Sequence, residues 1–278
     1  MQIFYAFPEG KTKALTFSFD DGVVEDRRLI GIFNRYGLKG TFNINSGLGD
    51  FKRHLPLNTE TAKIYEGHEI ATHSVHHPSF NQIANTEIMR EIWEDRKNLE
   101  ELTDYPVTGH AYPNGICSPE VADMLRAAGI EYARTVKSTG NVRYIPDDLL
   151  FWDPTCHYRN ALDHVESFLN GYFRPLPLLF YIWGHAYEAE DNNEWQLLEK
   201  LGSLLGGRND IWYATNIEIC RYIKAMRALI YSCDGKKVYN PSAIPVWFRY
   251  VNSGIDHGTD DYAQLFCVKP NETLQINN

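Results

Sequence analysis

Apolar positions change period repeatedly along the chain, and the changes mark alternating strands and helices. Ala14-Leu15-Thr16-Phe17-Ser18-Phe19 is a β-prone run that stops at the turn signal Asp20-Asp21-Gly22, which predicts a strand ending in two acids. From Val24 to Tyr36 the residues Val24, Leu29, Ile32, Phe33 and Tyr36 recur at helical spacing, and Gly37 supplies a C-cap. The pattern continues with a strand over 40–45, a short helix over 59–66 and a strand over 69–72 that runs into a histidine-rich loop. A long amphipathic helix is expected over 85–102, with Ile88, Ile92, Trp93, Leu99 and Leu102 as its apolar stripe, and then a strand over 109–112. Ser118-Pro119-Glu120 opens a helix with a serine N-cap and proline in its first turn, closing at Gly129. Strands over 132–135 and 151–152, a helix over 160–170 and an apolar strand over 178–183 ending at Gly184-His185 follow. A helix over 193–205, a strand over 211–214 and a helix over 216–230 complete the series.

Parallel strands need crossover connections, so this alternation predicts an α/β fold built on a parallel sheet or barrel. After Asp234-Gly235 the texture changes to short β runs around Val238, 245–250 and 265–268 with no helix between them. The expected organisation is one α/β unit over 1–230 and a small C-terminal β appendage over 231–278 packed on it.

Composition narrows the picture. The chain has 278 residues, 44% of them hydrophobic, enough for a sizeable core, so disorder is excluded. A net charge of −9, from 27 basic and 36 acidic residues, disfavours a polyanion, and nucleic acid is not an expected partner. The longest apolar run, Leu176 to Trp183, is broken by Pro177 and is far shorter than the about 20 residues of a membrane-spanning helix, so no span is expected. The first ten residues lack the pattern of a secretory signal, which predicts a cytoplasmic location, or an extracellular one if a leader has been trimmed away. Five cysteines with no CxxC pair are read as reduced thiols.

In parallel α/β folds chemistry gathers at the C-terminal ends of strands. There the sequence places Asp20 and Asp21, His73 and His77, Tyr112-Pro113-Asn114-Gly115, and His185. Asp21, His73 and His77 are oxygen and nitrogen donors of the kind that catalytic zinc takes, with a position left open. Taken singly, Asp-Asp-Gly also reads as a solvated turn and the histidines as a polar surface cluster. Four other histidines, His54, His68, His164 and His257, carry no signal of this kind.

The chain resembles the polysaccharide deacetylases, carbohydrate esterase family four. Ser18-Phe19-Asp20-Asp21-Gly22 matches the family's first motif and His73-Ser74-Val75-His76-His77 its second. The resemblance covers about residues 12–215 and implies an irregular (β/α) barrel and a metal-dependent hydrolase that removes acetyl groups from N- or O-acetylated saccharides. It implies that Asp21, His73 and His77 hold a divalent metal, zinc by donor type, that Asp20 is the catalytic base, and that His185 in Trp183-Gly184-His185 is the general acid. Two alternatives stay open: hydrolysis of a non-peptide C–N bond in a non-carbohydrate substrate, and a catalytically idle carbohydrate-binding protein.

Departures from the family pattern carry their own expectations. The third motif, Ala111-Tyr112-Pro113-Asn114-Gly115, has alanine where the family has arginine, so the usual partner of the base is missing. Arg134, on the neighbouring strand, is the expected replacement. The backbone N–H of Asn114 is expected to meet the oxyanion. Tyr112 and Trp183 are expected as walls of the sugar pocket, and His157 and Glu188 lie close enough to the motifs to support it.

Overall fold

This computed structural model describes residues 2–49, 51–171, 177–251 and 264–276. Leu176 and His257 lie outside them. After β1 (Gln2–Ala6), a parallel sheet forms from β2 (Lys13–Asp21), β3 (Gly40–Ile44), β4 (Glu69–Thr72), β5 (Gly109–Ala111), β6 (Tyr132–Arg134), β7 (Cys156–His157), β8 (Leu178–His185) and β9 (Ile211–Tyr213). Its spatial order is β6-β5-β4-β3-β2-β8-β7. One edge of β2 pairs with β8 from Lys13 to Asp20, while β9 pairs with residues 13–15 and β3 with residues 17–21. The intervening helices are α1 (Asp26–Tyr36), α2 (Thr59–Ala62), α3 (Asn85–Glu100), α4 (Pro119–Ala127), α5 (Leu162–Leu169), α6 (Ala186–Asp191), α7 (Trp195–Leu205) and α8 (Asn216–Ala228). The sheet curls into a half-barrel, the fold the sequence implied.

Alternation along β2 explains both faces of the wall. Leu15, Phe17 and Phe19 pack outward on Leu29, Ile32 and Phe33 of α1, with the Phe17 and Phe33 rings 4.6 Å apart. Thr16, Ser18 and Asp20 point the other way and are buried in a polar interior. The expected strand at 151–152 is instead a single parallel bridge from Trp152 to Arg134. Trp152 N–H donates to Ala133 O at 2.9 Å, and three residues later Thr155 N–H donates to Tyr181 O at 2.8 Å. The stretch from Trp152 to His157 thus spans from β6 to β8 and narrows the gap in the half-barrel.

Helix phase differs from expectation at two places. Val24 precedes α1 and is 44% exposed, and Trp93 is 56% exposed. The buried stripe of α3 is Ile88, Ile92, Asp95 and Leu99, so a carboxyl group occupies a core position. Ser118 caps α4 as expected, accepting from Val121 N–H at 3.2 Å. All five cysteines are free. No described helix is long and apolar enough to cross a membrane.

The late β runs are β10 (Ile230–Tyr231), β11 (Lys237–Tyr239), β12 (Val246–Val251), β13 (Gln264–Val268) and β14 (Thr273–Gln275). They form two antiparallel sheets, β10-β11-β14 and β1-β12-β13. The N-terminal strand therefore joins the C-terminal β layer, a pairing the sequence did not announce. Val246, Phe248 and Val268 share one buried cluster with Phe7, Tyr222 and Leu179, so this layer packs on α8 and the sheet. Tyr222 ties the two together, donating its hydroxyl to Ala6 O at 2.7 Å and accepting from Trp247 N–H at 3.0 Å. We propose 231–278 as the appendage, completed by a strand from the other end of the chain.

Candidate metal centre and active site

Asp20 and Asp21 are not loop residues; both belong to the β2 ladder, Asp20 opposite Asn43 on β3 and His185 on β8. A regular strand would send them to opposite faces. Asp21 escapes the alternation because its φ is 82°, in the left-handed region, and both carboxylates reach one imidazole. His73 Nε2 lies 3.6 Å from Asp21 Oδ1 and 3.9 Å from Asp20 Oδ2.

His73 follows β4 and is buried, and its main-chain N–H donates to Asp95 Oδ2 at 2.8 Å. Asp95, at its core position on α3, also accepts from Ser46 N–H at 2.8 Å. Burial pushes the Asp95 carboxyl up to about 7 against these donated bonds. His73 Nδ1 lies 2.7 Å from Ala111 O, which places a proton on Nδ1 and leaves the Nε2 lone pair toward Asp21. Burial lowers the His73 pKa to about 4 despite the nearby Asp20 and Asp21 charges, so the ring is neutral, the form a metal needs. Left-handed residues at Ser74 and His77 then turn the chain back, and His77 Nε2 arrives 3.7 Å from Asp21 Oδ1. Tetrahedral zinc with bonds of about 2.0–2.1 Å keeps its donors about 3.3–3.4 Å apart. The separations of 3.6 and 3.7 Å fit such an ion with small adjustment, so Asp21, His73 and His77 could hold one. His76 faces elsewhere, with Nδ1 on Glu91 Oε1 at 2.7 Å.

Asp20 is 2% exposed. Arg134 reaches it across the interior: one Nη donates to Asp20 Oδ2, Nε donates to Ser18 Oγ at 3.2 Å and the other Nη to Thr135 O at 3.1 Å. Asn43 Nδ2 donates to Asp20 Oδ1 at 2.8 Å. Burial alone would raise this carboxyl, but the Arg134 guanidinium, with the His73 and His185 rings, both protonated at the low pH where Asp20 titrates, outweighs it and holds the group at about 2. Arg134 stands where the arginine missing from the third motif was needed. Sequence reasoning passed over Asn43 and Asp95, although each had a signal, a polar residue inside an apolar strand and an acid in phase with a helix stripe.

His185 ends β8 with Nε2 3.8 Å from Asp20 Oδ2 and Nδ1 3.5 Å from Glu188 Oε2. Burial lowers its pKa, while Glu188, Asp20 and Asp21 more than restore it, so the ring sits above its ordinary value. Burial raises Glu188, and the neighbouring His157 and His185 rings bring it well below the usual carboxylate range. Trp183 is half-buried, with the Arg134 guanidinium 4.7 Å from its ring centroid, so it covers the buried ion pair. Tyr112 corrects its expectation as a pocket wall: it is 1% exposed in a core cluster with Ile88 and Leu125, and its hydroxyl donates to Leu150 O at 2.8 Å. Asn114 is exposed in the turn Pro113–Gly115, its side-chain amide donating to Ser79 Oγ at 3.1 Å.

Residues 8–133 match the family model described as polysaccharide deacetylase, a span that includes Asp20, Asp21, His73 and His77 and stops before Arg134 and His185. No curated protein sequence matches the chain. Among solved structures, a candidate polysaccharide deacetylase from Mycobacterium smegmatis is 18% identical, with 82% of this chain and 96% of that one covered and a TM-score of 0.60. A family 4 carbohydrate esterase from Streptomyces lividans, solved with acetate, is 14% identical over 72% of this chain and 91% of that one, with a TM-score of 0.50. A pseudoenzyme of the same family from Bacillus anthracis is 15% identical over 78% of this chain and 68% of that one, also at 0.50. At such identities these likenesses establish the fold. Residues 8–133 thus match the polysaccharide deacetylase model, and the sheet has the fold of those structures.

Proposed function

We propose that the chain is a metal-dependent hydrolase that removes acetyl groups from an N- or O-acetylated saccharide. The observation that carries this reading is the buried Asp20 carboxylate, kept ionised by Arg134, between the Asp21–His73–His77 donor set and His185. The chemistry a divalent ion supplies when held by that set is Lewis acidity toward an acyl carbonyl, and zinc suits the donors. Asp20 accepts a proton from the attacking water as its oxygen bonds to the acetyl carbon. Arg134 and Asn43 fix the carboxylate for that transfer, one on each oxygen. His185 gives a proton to the leaving nitrogen or oxygen as the C–N or C–O bond breaks, releasing acetate, and its raised pKa suits an acid at neutral pH. The Asn114 N–H is assigned to the oxyanion, and Trp183 to the pocket wall beside His185, its ring centroid 5.8 Å from the imidazole.

The test couples elemental analysis of the purified protein to acetate release from acetylated chito- and xylo-oligosaccharides. The expected result is release that chelation stops and zinc or cobalt restores. Asp20→Asn should lower turnover by about 10²–10⁴-fold while keeping its metal. Full turnover in that variant, or bound metal with no release from any sugar, overturns the reading and favours a non-carbohydrate amide substrate or a catalytically idle carbohydrate-binding protein.

A further inference from the structure

A second set of metal-type donors lies on the far side of Asp20. His157 ends β7, His185 ends β8 and Glu188 lies in the first turn of α6, so two adjacent strand ends and the helix that follows deliver all three. His157 Nε2 is 2.8 Å and His185 Nδ1 3.5 Å from the same oxygen, Glu188 Oε2. One donor atom from each residue lies within 4.8 Å of the other two. These separations bracket the about 3.3–3.4 Å expected between donors of a tetrahedral zinc ion.

Two features set this group apart from a simple ion pair. His185 Nδ1 and Glu188 Oε2 are buried and form no well-directed hydrogen bond, although His157 Nε2 lies 2.8 Å from the carboxylate oxygen. A cation between the two atoms would give each a well-directed partner. Gly184 permits the approach, since a Cβ there would lie 3.2 Å from His157 Nε2 and 2.5 Å from the Tyr158 ring. The surrounding charge is mixed. Arg159 Nη1 is 3.7 Å from the other Glu188 oxygen, but its Nε is held by Glu194 Oε2 at 2.7 Å, and Asp20 adds a negative charge on the opposite side of His185.

We propose that His157, His185 and Glu188 form a second divalent-cation site, separate from the Asp21–His73–His77 set, with zinc as the ion its donors suit. A cation on His185 Nδ1 takes the side of the ring that faces Glu188 and fixes the imidazole, so filling this site changes how His185 serves the proposed reaction. That consequence rests on the reading of His185 given above, whereas the site itself does not.

The test counts ions without substrate. Chelator-stripped protein is dialysed against increasing zinc, and bound zinc is measured by elemental analysis. Wild type is expected to bind two ions, and Glu188→Gln, His157→Ala and His73→Ala one each, with folding checked by circular dichroism. Saturation of wild type at one ion overturns the site, and so does a count of two in Glu188→Gln, an isosteric change that decides the matter should His157→Ala fail to fold. Acetate release is then followed against zinc. The expected result is a rise with the first equivalent and a fall with the second, the fall disappearing in Glu188→Gln relative to that variant's own maximum. Two bound ions with undiminished release would leave the site standing and overturn its effect on the reaction.

Discussion

Asp20 and Glu69 are buried carboxyl groups at opposite ends of the same sheet, and their surroundings send them in opposite directions. Asp20 lies at the C-terminal end of β2 and Glu69 at the N-terminal end of β4, with exposures of 2% and 4%. Glu69 accepts from Thr41 Oγ1 at 2.8 Å, Tyr132 hydroxyl at 2.8 Å and Ile217 N–H at 2.9 Å, all neutral donors. Burial carries it up to about 7 against those bonds. Asp20 is sealed as thoroughly but has a guanidinium against it, and falls to about 2. Three neutral hydrogen bonds do not offset desolvation here, whereas the Arg134 cation with its hydrogen bond, together with the His73 and His185 rings, does. The end of the barrel that carries the proposed chemistry is therefore the end with the buried arginine, and the other end uses its carboxyl group to join β3, β6 and α8.

The strongest way to break this contrast is to remove the cation. Arg134→Met should destabilise the fold by about 3–5 kcal/mol in a denaturant titration at neutral pH, because it strands a buried carboxylate. Adding Asp20→Asn should recover most of that loss, and equal costs for the single and double variants would show that the ion pair is not what Arg134 contributes. Next in size is the pH dependence due to Glu69. Its folded pKa lies above the unfolded one, so between about 4.5 and about 7 the unfolded chain loses a proton that the folded chain keeps, and stability falls as pH rises through that window. The loss should approach about 3 kcal/mol, and Glu69→Gln should remove it. Asp20 acts in the opposite sense and more weakly. Its folded pKa is depressed, so stabilisation present above about 4 is lost as pH falls toward about 2, by about 2 kcal/mol in chelated protein, an acid limb that Asp20→Asn should lack.

The sequence made the barrel legible because β2 and α1 change period cleanly at Asp20-Asp21-Gly22, and it exposed the donor set through residue type at strand ends. Arg134 was legible as a candidate partner for Asp20 because the third motif has alanine at position 111 and Arg134 lies on the neighbouring strand. The pairing of β1 was not legible, since Gln2–Ala6 finds its partner at 247–251 and no local pattern encodes that distance. Trp93 was misplaced because an aromatic side chain beside Ile92 outweighs an acid in any hydrophobic count, while the true stripe passes through Asp95. The conformation that brings Asp20 and Asp21 together, a left-handed aspartate inside a strand, is rare for a residue with a Cβ and leaves no mark in the spacing.

The smallest effect sharpens the Glu69 side of the contrast. Tyr132→Phe keeps the aromatic ring, and with it the edge contact to Trp152 at 5.8 Å. It deletes one donor to Glu69 Oε1, together with the hydroxyl oxygen that lies over Gly109. Loss of a bond to the charged form should raise the Glu69 pKa above about 7 and extend the falling limb of the stability profile to higher pH. At pH 5, where folded Glu69 is protonated in either chain, the cost should be only about 1 kcal/mol, the ordinary net worth of a hydrogen bond. At pH 8 it should be larger, because the remaining two donors face a carboxylate alone. Equal costs at the two pH values, measured by denaturant titration, would mean that Glu69 is already ionised at pH 5 and that neutral donors suffice to hold a buried charge in this barrel.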